Sequence, residues 1–175
     1  MGALVRGGQQ EVAVAREQEQ SQYLTFLLGG EMFAIDILNI KEIIEYGSLT
    51  TVPMMPEFIR GVINLRGAVV PVVDLSVRFG RKSVEVTKRT CIVIIEIETE
   101  GEWQDVGVVV DSVSEVLEIP QSEIEPAPAF GARIRADFIQ GMGKINGRFV
   151  VILNADRVLS VDEMAVLSQA SGQGE

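Results

Sequence analysis

Histidine is absent from all 175 residues, and cysteine occurs once, at Cys91. Without histidine, the Ser-His and Cys-His nucleophile pairs and every imidazole-ligated metal site drop out together. A single cysteine excludes an internal disulfide and fits a reducing compartment. Its setting, Cys91-Ile92-Val93-Ile94-Ile95, predicts a small buried hydrophobe rather than a reactive thiol. Aromatics are only 6% of the chain, too few for a base-stacking surface, and the net charge of −10 repels phosphate. Nucleic acid is therefore not an expected partner. No apolar run approaches the ~18–20 residues of a membrane span. Arg6, Glu11, Arg16, Glu17 and Glu19 interrupt any secretory core near the start, so cytoplasmic residence is expected.

What the chain does contain is apolar residues, 47% of the total, arranged in short alternating runs. Residues 1–20 are rich in Gln and Glu and read as a disordered tail. From Gln22 a strand leads through Gly29-Gly30, a pair able to adopt the positive φ of a hairpin turn, into a second strand over Glu31–Ile37. Asp36–Ile44 fits either a short helical turn or an irregular extended piece. Val62–Leu65 and Ala68–Asp74 flank a tight Arg66-Gly67 turn. Pro71 cannot donate to a ladder, which predicts an edge strand or a bulge. The unalternating Cys91–Ile95 run predicts a strand covered on both faces.

The pattern then recurs. Phe58–Leu75 matches Phe138–Ala155 at a spacing of 80, with Phe58/Phe138, Ile59/Ile139, Gly61/Gly141, Gly67/Gly147 and Val70/Val150 identical. Ala34–Tyr46 matches Gly107–Ile119 at a spacing of 73, with Glu42/Glu115 and Glu45/Glu118 identical. The loops 47–57 and 120–137 hold 11 and 18 residues, and their difference of 7 accounts for 80 minus 73. One unit thus occurs twice. The expected fold is mainly β: two tandem, related five-stranded barrels within one domain over 21–165, divided at about 21–86 and 87–160. Ser160-Val161-Asp162-Glu163 has the form of a capping box and predicts a C-terminal helix within 161–175, ending in a frayed tail.

Catalytic motifs fail on inspection. Gly141-Met142-Gly143-Lys144 lacks the first Gly and the Ser/Thr of a phosphate loop, and no calcium-loop pattern occurs. Asp111/Glu115 and Glu96/Glu98 read as solvated strand faces. No cofactor or metal is expected, and neither is enzymatic activity. Arg66, a lone cation at a turn between apolar strands, is either a surface turn residue or an ion-pair anchor beside an interface.

Phe58-Ile59-Arg60-Gly61-Val62-Ile63-Asn64-Leu65-Arg66-Gly67, running on into Val70–Leu75, resembles the signature of the CheW family, as do Ala34–Ile37 and Val108–Val116. The likeness covers Gln22 to Met164. It implies intertwined SH3-like or OB-like barrels that exchange strands, so a cut near residue 86 misplaces one or two of them. It also implies a non-enzymatic bacterial chemotaxis adaptor coupling methyl-accepting receptors to the histidine kinase CheA, and touching the membrane only through receptors. The receptor-facing residues implied are Ile40, Glu42, Gly61, Arg66, Gly107, Val113 and Val116. Those implied to face the regulatory domain of the kinase are Gly67 and Val69.

Overall fold

A computed structural model describes residues 21–126 and 136–159. The tail over 1–20 and the C-terminal helix expected after 160 lie outside them. β1 (Gln22–Leu28) and β2 (Glu31–Asp36) form a hairpin through Gly29 and Gly30, at φ 61° and 81°. Then come β3 (Ile40–Glu45), β4 (Ile59–Leu65), β5 (Ala68–Asp74) and the single-turn α1 (Leu75–Arg78). The second repeat supplies β6 (Cys91–Thr99), β7 (Glu102–Val110), β8 (Ser112–Glu118), the two-residue β9 (Ile124–Glu125), β10 (Ile139–Ile145), β11 (Arg148–Leu153) and α2 (Ala155–Val158). The ambiguous stretch is both things in turn: Ile37–Asn39 is a 3-10 turn, capped by Asp36 accepting from the Leu38 N–H, and β3 follows it.

The repeat is preserved to the level of register. Ile59 pairs with Val73 and Leu65 with Ala68; eighty residues on, Ile139 pairs with Leu153 and Ile145 with Arg148. Both ladders slip at the same place, before Gly61 and before Gly141. The two turns also agree: Arg66 and Gly67 at φ 53° and 87°, Asn146 and Gly147 at 50° and 79°, the primed geometry that suits strand twist. At Gly61 a side chain is excluded by close approach, because a Cβ would stand 2.6 Å from the Thr50 carbonyl oxygen.

The architecture is mainly β, in two related sheets. One runs β8-β1-β2-β11-β10-β9 and the other β3-β6-β7-β5-β4. Each sheet therefore takes one hairpin from the opposite half: β1–β2 joins β8–β11, and β6–β7 joins β3–β5. The ladders are not closed barrels. In the five-stranded sheet β3 and β4 do not pair; the chain after β3 returns to bridge Thr50 to Val62 instead. β9 bridges Glu125 to Met142 at the matching position of the other sheet.

Two sequence expectations need correction. β5 is an interior strand, flanked by β4 and β7, and the ladder slip lies on β4 rather than at Pro71. Proline is accommodated because pairing with β7 begins only at Val72. Cys91 is half-buried rather than buried, since it opens β6 where the strand emerges from the core. Ile92–Ile95 are buried as expected.

Leu24, Phe26 and Leu28 of β1 join Val93, Ile95 and Ile97 of β6 in one apolar cluster that spans both sheets. The alternate residue Tyr23 belongs to a smaller cluster with Ala34, Ile119, Val150 and Ile152. At about 1.5–3 kcal/mol per buried Val, Leu or Ile, the shared cluster is the main force holding the sheets together. Asp74 secures the strand end. Its wholly buried carboxylate accepts from the N–H groups of Ser76 and Val84, both at 3.0 Å, and lies 3.6 Å from Arg60 Nε.

Candidate protein-binding surface

The geometry brings some of the singled-out residues together and keeps others apart. Glu42 points from β3, and Arg66 sits in the β4–β5 turn, so they belong to the two outer strands of the five-stranded sheet. Arg66 Nη2 meets Glu42 Oε2 at 2.5 Å. This ion pair spans the gap where the ladder fails to close. The hydrogen bond that the guanidinium donates to Glu42, followed by the carboxylate's charge, raises the Arg66 pKa above its ordinary value. Lys41, next along β3, bonds outward to Asp105 and Glu96, at 3.0 and 3.2 Å, and its pKa is raised by those two carboxylates in that order.

Gly67 and Val69 share the hairpin tip with Arg66, and Val69 is 71% exposed. Residues implied to face a receptor and residues implied to face a kinase are thus neighbours on one turn. Asn64 braces that turn by accepting the Gly67 N–H at 2.9 Å. Ile40 and Val113 are half-buried and both pack against the shared cluster. Val116, on the edge strand β8, is exposed. Gly61 and Gly107 are buried and offer no side chain to any partner. A Cβ at Gly107 would lie 2.9 Å from Ile92 Cγ2 and 3.3 Å from Val72 Cγ2, so its absence lets three strands pack closely.

The second repeat treats the same place differently. Asn146 replaces Arg66, and the counterpart of Glu42 is Glu115; no ion pair joins them among the described residues. A cavity of roughly 630 Å³ opens there, lined by Leu27, Met32, Leu117, Met142, Ile145 and Phe149 among others. Phe149, the counterpart of Val69, is exposed at its mouth. Sequence reading noticed the substitution but had no means of seeing the cavity beside it. It also missed Leu38 and Trp103, the first 89% and the second 63% exposed, because an isolated exposed apolar residue has no periodic signal.

The family description CheW-like domain matches residues 22–163. The chain belongs to the CheW-like family. The chemotaxis protein CheW of Klebsiella aerogenes is 35% identical over 158 residues, covering 90% of this chain and 93% of its own. That of Rhizobium meliloti is 33% identical over 142 residues, covering 81% and 89%. The crystal structure of the scaffolding protein TtCheW from Thermoanaerobacter tengcongensis superposes with a TM-score of 0.73 at 35% identity, covering 82% of this chain and 90% of that one. CheW-like proteins are non-catalytic chemotaxis scaffolds, and this chain is one of them.

Proposed function

We propose that the chain couples the cytoplasmic tips of methyl-accepting chemotaxis receptors to the histidine kinase CheA, so that receptors control kinase autophosphorylation. It works in the cytoplasm and reaches the membrane array only through receptors. The observation that carries this reading is the Arg66–Glu42 pair at the open side of the five-stranded sheet. A receptor helix carrying a carboxylate can engage Arg66, while its apolar stripe covers Val116 and the half-buried Ile40 and Val113. Each such Val or Ile fully buried contributes about 1.5–3 kcal/mol. Gly61 and Gly107 act in this reading through packing, by shaping the strands that carry the contacts. Gly67 and Val69 offer the exposed tip of this hairpin to the kinase regulatory domain.

Reconstitution of receptor membranes, CheA and this chain tests the proposal. Omitting the chain removes receptor control of autophosphorylation. Arg66→Glu places a carboxylate against Glu42, and it weakens receptor-dependent control while circular dichroism and melting stay close to the parent. Control that survives omission of the chain refutes the coupling role; control unaffected by Arg66→Glu refutes the assignment of Arg66.

A further inference from the structure

The four asparagines of the chain are not alike. Asn39 donates to the Glu96 carbonyl at 3.5 Å, Asn64 accepts the Gly67 N–H at 2.9 Å, and Asn154 accepts the Arg157 N–H at 3.4 Å. Asn146 is exposed, and its side chain has no hydrogen bond among the described residues. It is also the only one of the four followed by glycine; Ile40, Leu65 and Ala155 follow the others. Asparagine is a thermolabile amide, and a following residue without a side chain leaves its amide carbon open to the next backbone nitrogen.

That nitrogen, of Gly147, is unrestrained too. In the first repeat the equivalent N–H, of Gly67, is held by Asn64. Eighty residues on, the place of Asn64 is taken by Lys144, whose ammonium only donates. No acceptor holds the Gly147 N–H among the described residues. The turn also has open space around it. A Cβ at Gly147 would meet nothing within 4 Å, and Asn146, Gly147, Arg148 and Phe149 are all exposed. The two repeats share one turn geometry, but only the first is braced. Ring closure requires Asn146 to swing out of that geometry, which an unbraced turn permits.

We infer that Asn146-Gly147 is a self-modifying site, at which the amide is converted to a carboxylate through a succinimide. The Gly147 nitrogen gives its proton to solvent base and bonds to Asn146 Cγ. The Cγ–Nδ2 bond breaks, and Nδ2 leaves as ammonia with a proton from water. Water then opens the ring at either carbonyl, giving isoaspartate or aspartate. One water is consumed and one ammonia released, with no change of oxidation state. A carboxylate then stands where the first repeat has Arg66, beside the cavity that Asn146 and Phe149 help to line. Isoaspartate also lengthens the backbone between Ile145 and Arg148, the pair that closes the hairpin. None of this depends on kinase coupling.

Ageing the folded full chain at mildly alkaline pH tests this. Peptide mapping locates the product, and methyl transfer from S-adenosylmethionine by an isoaspartyl methyltransferase counts it. Isoaspartate is expected at Asn146 ahead of Asn39, Asn64 and Asn154. Asn146→Gly, which copies the Gly29-Gly30 turn, abolishes it. Lys144→Asn supplies the missing acceptor for the Gly147 N–H and slows the reaction about two- to tenfold, the effect of one hydrogen bond. Lys144→Ala removes the same cation without supplying an acceptor and keeps the parent's rate. The site is overturned by a folded chain that forms no isoaspartate at Asn146 while the free peptide Gly143–Val150 does. Faster formation at another asparagine also overturns it. Equal rates in Lys144→Asn and Lys144→Ala overturn the role of the unheld N–H.

Discussion

Arg78 donates from Nε to the carbonyl of Val158 at 3.1 Å, and Val158 is the residue that holds the position of Arg78 in the other repeat. The same guanidinium lies 4.8 Å from the Phe58 ring centroid and 4.7 Å from that of Phe138, another pair of counterparts. One side chain therefore joins the two repeats where their equivalent positions meet. Two guanidinium groups facing each other there would repel in a poorly hydrated site, so only one copy carries the cation and the other is a buried valine.

Arg78→Met keeps much of the apolar stem but loses the cation and its N–H donors. It should lower the unfolding free energy by about 1–3 kcal/mol, read from the urea midpoint at constant slope. An unchanged midpoint would show that the two repeats are held without it.

Thr25 stands at the slip in the β1–β8 ladder. Its fully buried hydroxyl donates to the Glu115 carbonyl at 2.7 Å and accepts the Glu115 N–H at 3.1 Å. Thr25→Val removes both bonds at nearly constant volume and leaves two backbone groups unpaired. A loss of about 1–3 kcal/mol is expected, together with faster amide exchange along β8, the strand of Val113 and Val116. Exchange rates on β8 equal to the parent's would contradict this.

Gly61→Ala forces a methyl group against the Thr50 carbonyl and should separate Thr50 from Val62, at a cost of about 1–3 kcal/mol. Gly47, around which a Cβ meets nothing within 4 Å, is the control and should accept alanine with little change. Thermal melts of both variants decide the matter. Equal melting temperatures would remove the packing explanation for Gly61.

Burial, then the nearby charge of Asp36, raises the Tyr23 phenol pKa above its ordinary 10.0. The folded state therefore holds that proton more tightly than the unfolded chain does. The stabilisation is complete below pH 10.0 and is lost as pH rises through the folded pKa. Tyr23→Phe should shift the alkaline unfolding midpoint to higher pH, with tyrosinate absorbance and circular dichroism followed together. A midpoint that stays where it was would exclude Tyr23 as the group that titrates.

Much of the fold was legible because the repeat is local. The paired turns at Arg66-Gly67 and Asn146-Gly147 and the spacing of 80 depend on residues within one hairpin, and short-range backbone sterics decide them. The covered run Ile92–Ile95 was legible for the same reason. Of the candidate surface, the residues were nameable but their partners were not: that Arg66 meets Glu42, 24 residues away, depends on how far the sheet curls.

By itself, then, the sequence determined a doubled β unit without histidine chemistry, together with its paired hairpin turns. Tertiary structure alone decided that each sheet takes a hairpin from the opposite half and that the ladders stay open. It also decided that Arg78 sits between Phe58 and Phe138, and that a cavity opens beside Asn146. Strand alternation specifies which face of a strand is buried, but not which strand lies against it. That choice rests on the shape and packing of the shared apolar cluster, where contacts between residues far apart in the chain outweigh local preference.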